Sequence, residues 1–193
     1  MERTGNSLFP IFLKIDQLQI LIVGGGNVGL EKLEGLLKND PQANITMVSR
    51  AFKEEIINLA LEHSSVKLIK KPFAPGYLQD IEIAILATEK RELNHFIRDM
   101  AKARNILVNA ADTPDLCDFY LGSTVKRGDL KIGVSTNGKS PTFAKRFRQV
   151  LEEALPEETE ELMINLRTIR DRLKGDFNHK VKKLNELTKE LVS

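Results

Sequence analysis

The chain has 193 residues, 41% hydrophobic and 29% charged, a mixture that suits one large globular domain or two small ones. No apolar run approaches the roughly 18 residues of a membrane span, and a single cysteine cannot build a disulfide framework. The net charge of +2 gives no general argument for nucleic acid, so any anion-binding surface must be local. The N-terminus lacks a signal-peptide pattern, so we expect a cytoplasmic protein that binds neither membrane nor nucleic acid.

The first part of the chain alternates short apolar runs with helical patterns. Strands are predicted at residues 19–23, 45–48, 66–69, 81–86 and 106–108, and helices at 27–37, 53–62 and 93–103. Strict alternation of strand and helix indicates crossover connections, and therefore an α/β fold with a doubly wound parallel sheet of the Rossmann type.

The pattern changes after about residue 112. A strand is predicted at 130–134, followed by a helix with Ser140 as its N-cap and Pro141 as its first residue. Pro156 interrupts that helix, and Gly175 separates two further helical stretches. We therefore expect an α/β domain over residues 1–112, a small strand-plus-helix segment over 113–150, and a helical C-terminal domain over 151–193.

The strongest local signal is a glycine turn between the first strand and the first helix. Gly24, Gly26 and Gly29 form a G-x-G-x-x-G pattern, with Gly25 between the first two. In a dinucleotide site, such glycines permit the tight turn, the approach of the diphosphate and the close packing of helix on strand. The helix N-terminus then binds the phosphates. The alternative is a glycine-rich turn without a ligand.

The residues after the second strand bear on which dinucleotide binds. NAD sites usually have an acidic residue there, but this chain has Ser49 and Arg50. Arg50 can accept a 2′-phosphate, which favours NADP, or it can stack on adenine or point to solvent, and the residues leave both open. Ala87 and Thr88, at the carboxyl end of the fourth strand, are the other expected cofactor contacts.

Asp112 follows the fifth predicted strand, so we expect it near the nicotinamide, where a carboxylate can transfer protons. The alternative is a structural turn aspartate, which the following Thr113-Pro114 favours. Basic residues of the second segment, with the helix start at Ser140, can face a polyanionic substrate, or they can be ordinary solvated charges. They are Lys126, Arg127, Lys131, Lys139, Lys145, Arg146 and Arg148.

The remaining chemistry-bearing residues give no catalytic or metal signal. His63, His95 and His179 are dispersed and have no metal-ligand spacing, so we expect surface histidines and no metal site. Cys117 has no C-x-x-C partner, so we interpret it as a buried small side chain.

Four segments together resemble a known family. They are FPIFL at residues 9–13, ILIVGGGNVG at 20–29, NAADTPDLCDFY at 109–120 and VSTNGKSPTFAKRFR at 134–148. In this order they resemble the precorrin-2 dehydrogenase / sirohydrochlorin ferrochelatase family of sirohaem synthesis, over about residues 8–155. The N-A-A-D and S-T-x-G-K-S-P motifs are far more specific than the glycine pattern.

The resemblance implies a homodimer in which the segment over 113–150 serves dimerisation and substrate binding. It implies oxidation of precorrin-2, a tetrapyrrole, to sirohydrochlorin with NAD⁺ as hydride acceptor, and in some members insertion of Fe²⁺. The family's essential aspartate falls on Asp112, and its cofactor contacts fall on Asn27, Val28, Arg50 and Ala51. The expected cofactor is therefore NAD, against the generic interpretation of Arg50.

Our leading hypothesis is that Asp112 accepts a proton as the hydride leaves, while Ser140, Lys139, Lys126 and Arg127 bind the substrate carboxylates. Uroporphyrinogen methylation is then expected from another protein. Three alternatives stay open. The chain can be a regulatory module that binds a dinucleotide without chemistry, a chelatase that has lost dehydrogenation, or a dehydrogenase of a small metabolite.

Overall fold

The computed structural model of the protein describes residues 5–189, which fall into two compact units. One unit comprises residues 8–121, and the other comprises residues 122–189 together with 5–7. The predicted three-part division at residues 112 and 150 stays a prediction, and its outermost residues, 1–4 and 190–193, lie outside the described part. Among residues 5–189, no helix has both the length and the apolar character needed to cross a bilayer.

The first unit contains a five-stranded sheet in the order β3-β2-β1-β4-β5, with every pairing parallel. The strands are β1 (Gln19–Val23), β2 (Asn44–Ser49), β3 (Val66–Lys70), β4 (Ile83–Leu86) and β5 (Leu107–Ala110). The helices are α1 (Asn27–Asn39), α2 (Glu54–Glu62) and α3 (Arg91–Lys102). This architecture confirms the predicted Rossmann-type sheet.

Strand β1 lies at the centre of the sheet and is buried on both faces. Ile20 and Ile22 belong to a cluster that includes residues of α1 and α2, whereas Leu21 and Val23 belong to a second cluster that includes residues of α3. All four side chains are at most 3% exposed. A strand covered by helices on both sides needs apolar residues at every position, which explains the continuous run in the sequence.

The second unit contains an antiparallel hairpin and three helices. The strands are β6 (Ser123–Arg127) and β7 (Leu130–Val134), and the helices are α4 (Pro141–Ala154), α5 (Thr159–Arg172) and α6 (Phe177–Leu187). The predicted N-cap of α4 is confirmed, because the Ser140 hydroxyl accepts a hydrogen bond of 3.2 Å from the Phe143 amide. Gly175, with φ of +110°, separates α5 from α6 as predicted.

The structure corrects some predicted element boundaries. The strand β6 was missing from the prediction, since its sequence STVKR is mostly polar and only Val125 is buried. The fourth strand begins at Ile83 and not at residue 81, while β5 runs two residues further than predicted, to Ala110. Helix α2 begins at Glu54, so Lys53 is its N-cap and not its first residue.

Candidate functional site

The chain leaves β1 at the point where the strand order reverses. From β1, one half of the sheet continues through β2 and β3, and the other half through β4 and β5. In doubly wound sheets, ligands bind outside the carboxyl ends of the strands at this point. Four segments follow strands at that edge: the glycine turn after β1, the loop after β2, the residues after β4, and the loop after β5 that contains Asp112. β5 lies two strands from β1, a separation of roughly 10 Å.

Gly24 and Gly29 make the turn as tight as the sequence pattern predicts. Gly24 has φ of +127°, and a Cβ on it would overlap the carbonyl oxygen of Ala87. Its amide donates a 3.0 Å hydrogen bond to the carbonyl of Val48 in β2, the strand that pairs with β1. A Cβ on Gly29 would overlap the carbonyl oxygen of Gly24. A side chain at Gly24 would therefore push the turn away from the end of β4, and one at Gly29 would push α1 away from the turn.

Gly26 differs from these glycines because the space next to it is open. No atom lies within 4 Å of the position that a Cβ would take. Helix α1 begins here without a side-chain cap, and the amides of Asn27, Val28 and Gly29 have no acceptor among the described residues. Unpaired amides at the positive end of a helix dipole are suited to a phosphate. The turn therefore fits the diphosphate of a dinucleotide.

The loop after β2 packs directly against the glycine turn. A Cβ on Gly25 would overlap the carbonyl oxygen of Ala51 and lie 2.8 Å from the ring of Phe52. Ser49, the last residue of β2, is half-buried at the same place. Arg50 is exposed, and its guanidinium has no hydrogen-bond or ion-pair partner among residues 5–189. Ser49, Arg50 and Ala51, which we predicted to contact the cofactor, thus belong to a loop that lies beside the turn. The guanidinium of Arg50 is the cation of this loop that is left without a partner among residues 5–189.

Lys53 connects this loop to α1. Its amide donates a 3.0 Å hydrogen bond to the carbonyl of Gly25, and its Nζ lies 2.9 Å from Oδ1 of Asn27. The same Nζ lies 3.0 Å from Oε1 of Glu55. The pKa of Glu55 is lowered, first by a hydrogen bond with its own backbone and then by Lys53. No sequence signal points to Lys53, because its proximity to Asn27 depends on how two separate helices begin.

Thr88 is held in place on the other half of the sheet. Its hydroxyl donates a 2.6 Å hydrogen bond to Oδ1 of Asn94, and Nδ2 of Asn94 donates a 3.0 Å hydrogen bond to the Thr88 carbonyl. Asn94 is only 3% exposed, on α3. The amide of Ala87 donates a 2.8 Å hydrogen bond to the carbonyl of Val23. Both predicted contacts therefore have fixed positions beside the glycine turn.

The residues after β5 form a loop that returns to the same strand. Asn109, which is 6% exposed, donates a 2.9 Å hydrogen bond from Nδ2 to the Phe119 carbonyl. The Cys117 sulfur accepts from the Ala110 amide and donates to the Ala110 carbonyl, both at 3.2 Å. Burial raises the pKa of this half-buried thiol, which agrees with a structural role. Asp112 lies within this loop, exposed, with φ of +55°.

Asp118 fixes the far side of that loop. Its carboxylate accepts a 2.9 Å hydrogen bond from the Val108 amide and forms a 2.7 Å ion pair with Arg98 of α3. Arg98 also donates a 2.9 Å hydrogen bond to the Leu116 carbonyl. The polar residues of the N-A-A-D…L-C-D-F motif therefore hold the loop that carries Asp112. A left-handed conformation at a non-glycine residue is uncommon and is often found at functional sites.

The predicted substrate-binding residues of the second unit divide into two groups. Lys126 is exposed and lies directly opposite Lys131 in the β6–β7 register, and Lys139 is also exposed. Ser140 caps α4, while Nη2 of Arg127 donates a 2.6 Å hydrogen bond to the Glu152 carbonyl. Lys126 and Lys139 are thus available to a ligand, whereas the other two stabilise the unit. Their assignment to substrate stays a prediction.

The three histidines differ in exposure. His95 and His179 are exposed and His63 is half-buried. Within residues 5–189, no three His, Cys, Asp or Glu side chains come together in an arrangement that could hold a metal ion.

The parallel sheet, the tight glycine turn and the unpaired amides at α1 define a dinucleotide-binding domain of the Rossmann class. The family model described as "Putative NAD(P)-binding" matches residues 11–123, and the model described as "Sirohaem biosynthesis protein central" matches residues 127–154. The chain therefore belongs to the sirohaem-biosynthesis family of NAD(P)-binding proteins that the four sequence segments indicated. The match also confirms the predicted cofactor at the level of NAD(P).

Curated relatives agree with this assignment. Siroheme synthase of Pseudoalteromonas translucida is 36% identical over 170 residues, which are 88% of this chain and 35% of the relative. Siroheme synthase of Psychrobacter cryohalolentis is 40% identical over 149 residues, 77% of this chain and 28% of the relative. The chain thus spans about a third of the length of these relatives. The structure of SirC, a precorrin-2 dehydrogenase, shares the fold with a TM-score of 0.75 at 23% identity, covering 93% of this chain and 89% of that one.

Proposed function

We propose that the chain oxidises precorrin-2 to sirohydrochlorin, with NAD⁺ as the hydride acceptor. One observation carries this proposal. At the carboxyl edge of the same parallel sheet, β1 is followed by an open glycine turn with unpaired amides, and β5 is followed by a fixed loop that contains Asp112. The sirohaem-biosynthesis family and the name of the structural neighbour SirC, a precorrin-2 dehydrogenase, support the choice of substrate.

The residues around the turn would hold the cofactor. The space beside Gly26 and the amides of Asn27 and Val28 would receive the diphosphate, since they are open and unpaired. Arg50, with Ser49 and Ala51, would contact the adenosine half, because these residues follow β2. Ala87 and Thr88 follow β4 and would contact the nicotinamide half. When bound, the nicotinamide supplies the acceptor for the hydride.

Asp112 would move the proton in this reaction. Oxidation of the reduced macrocycle by two electrons removes one hydride and one proton. We assign the proton to the Asp112 carboxylate, which is exposed and held by a loop tied to β5 and α3. The loop fixes where the carboxylate stands, so the protein contributes mainly orientation and proton transfer.

An anaerobic assay with precorrin-2 and NAD⁺ tests the proposal through the absorbance of NADH. Asp112→Asn should lower kcat by about 10²–10⁴ with little change in the affinity for NAD⁺. Asp115→Asn is the matched control, because Asp115 is an exposed aspartate of the same loop. Wild-type turnover by Asp112→Asn would remove Asp112 from the mechanism. NAD⁺ binding without turnover in the wild type would favour the regulatory alternative.

A parallel arm of this assay supplies sirohydrochlorin and Co²⁺ or Fe²⁺ without NAD⁺. It tests the chelatase alternative directly, because metal insertion changes the absorption spectrum of the macrocycle without forming NADH. Metal insertion together with a failure to oxidise precorrin-2 would replace the proposed dehydrogenase function by that of a chelatase.

We also propose that the chain is a cytoplasmic homodimer, as the family resemblance implies. On α4, Phe143 and Phe147 stack with ring centroids 5.8 Å apart while 58% and 42% exposed. Exposed aromatic pairs of this kind are typical of protein–protein contacts and support a partner surface. Sedimentation of the wild type and of Phe147→Ser should show a dimer that the substitution weakens. A wild type that sediments as a monomer would contradict this proposal.

A further inference from the structure

The position of the Lys53 side chain carries an inference beyond the proposed reaction. Lys53 is attached to the glycine turn at two points, through its amide to Gly25 and through its Nζ to Asn27. Asn27 is the first residue of α1, where the amides are unpaired. The ammonium group is therefore placed at the end of the helix to which a diphosphate would bind, within hydrogen-bond distance of its first side chain.

The charges around Lys53 leave it able to contact a further anion. A lysine ammonium has three N–H donors, and that of Lys53 has two acceptors among the described residues, Asn27 and Glu55. Its side chain is 35% exposed and that of Glu55 is 55% exposed, so the ion pair is accessible to solvent and weakly held. The third donor is free, and a stronger anion can compete with Glu55 for the others.

We propose that Lys53 is a cofactor-binding residue that donates a charge-assisted hydrogen bond to the diphosphate, with Glu55 as the counter-ion that competes for it. This inference rests on the proposed dinucleotide function. It assigns a role to two residues that the glycine pattern does not include. The backbone contact of Lys53 with Gly25 places the residue next to the turn, and its ammonium group therefore reaches Asn27 at the start of α1.

Calorimetric titration of adenosine, ADP and NAD⁺ into the full chain tests the role of Lys53. Lys53→Met removes the ammonium but keeps the length of the side chain, and it should weaken ADP and NAD⁺ binding by about 5- to 20-fold. Adenosine carries no phosphate, so its affinity should not change. Glu55→Gln should tighten ADP and NAD⁺ binding by about 2- to 5-fold, because it removes the competing carboxylate. Lys53→Arg should retain most of the affinity.

Lys38→Met is the matched control, because Lys38 is an exposed lysine in the last turn of α1, at the end of that helix opposite to Asn27. It should leave all three affinities unchanged. The Lys53→Met effect should also shrink as salt is raised, since a partly exposed charge is screened.

Two results would overturn the proposal while leaving the dehydrogenase function standing. One is equal affinity of wild type and Lys53→Met for ADP. The other is an equal loss for adenosine and ADP, which would indicate that Lys53 only shapes the turn. If Lys53→Met fails to fold, unchanged ADP affinity in Glu55→Gln would also contradict the proposal. A wild type that binds neither ADP nor NAD⁺ would instead overturn the proposed function, and this inference with it.

Discussion

Replacement of Gly26 by alanine should weaken cofactor binding by at least about 100-fold while the protein stays folded. The backbone at Gly26 has φ of −90° and ψ of −160°, a conformation that alanine adopts, and no atom lies within 4 Å of the new methyl group. The reduced entropy of the unfolded chain stabilises by about 0.4–1 kcal/mol, and the poorer N-cap costs a similar amount. The free energy of unfolding should therefore change by less than about 1 kcal/mol.

The effect of Gly26→Ala on binding should be much larger. The methyl group would occupy the space through which a diphosphate reaches the unpaired amides of α1. A hydrogen bond to a charged group contributes about 1.5–3 kcal/mol, so loss of two of them corresponds to at least about 100-fold in affinity. Titration with NAD⁺ measures the affinity, and urea denaturation measures the stability.

Gly35→Ala provides the matched control for this variant. Gly35 lies in α1, the helix that Gly26 caps; it is exposed, and no atom lies within 4 Å of the position that its Cβ would take. Alanine there should raise the free energy of unfolding by about 0.5–1 kcal/mol and leave the NAD⁺ affinity unchanged. If Gly26→Ala binds NAD⁺ as well as Gly35→Ala does, the diphosphate does not bind at this turn.

Three further predictions concern the turn and the loop after β5. Gly24→Ala should destabilise the protein by about 2–4 kcal/mol in urea denaturation, because φ is +127° and the methyl group would overlap the Ala87 carbonyl, and an unchanged midpoint would refute this packing. Burial raises the pKa of Cys117 above its ordinary value of 9.0, so the stability that this thiol contributes is complete below about pH 9 and is lost as the pH rises through the folded-state pKa. Cys117→Ala should lack that decline in stability, and identical pH profiles of unfolding for the two proteins would contradict a raised pKa of this thiol. Asn109→Ala should cost about 1–3 kcal/mol of stability and lower kcat, while the NAD⁺ affinity changes by less than about twofold. Parallel losses of kcat and of NAD⁺ affinity would show that the loop does not act through Asp112.

Most of the sheet could be predicted because its strands are buried on both faces. Leu21 and Ile22 point to opposite sides of β1 and are both fully buried, so the run is apolar at every position and easy to recognise. The glycine turn was equally visible, since the overlaps at Gly24 and Gly29 demand glycine at fixed spacing. These features are local, and the sequence pattern therefore reports them directly.

Features that depend on tertiary contacts could not be predicted in the same way. β6 has one buried residue, Val125, and no periodic apolar signal. The contact of Lys53 with Asn27 joins residues 26 positions apart through the starts of two helices. The family motif drew attention to residues 109–120, but only the structure shows that Asn109 and Asp118 hold the loop that carries Asp112.

A crystal structure of the protein with NAD⁺ bound tests the central claim most directly. We expect the diphosphate to lie against Gly26 and the amides of Asn27 and Val28, with the nicotinamide beyond Thr88 on the side of Asp112. A dinucleotide bound elsewhere, or a nicotinamide ring on the β2 side and far from the Asp112 carboxylate, would contradict the account.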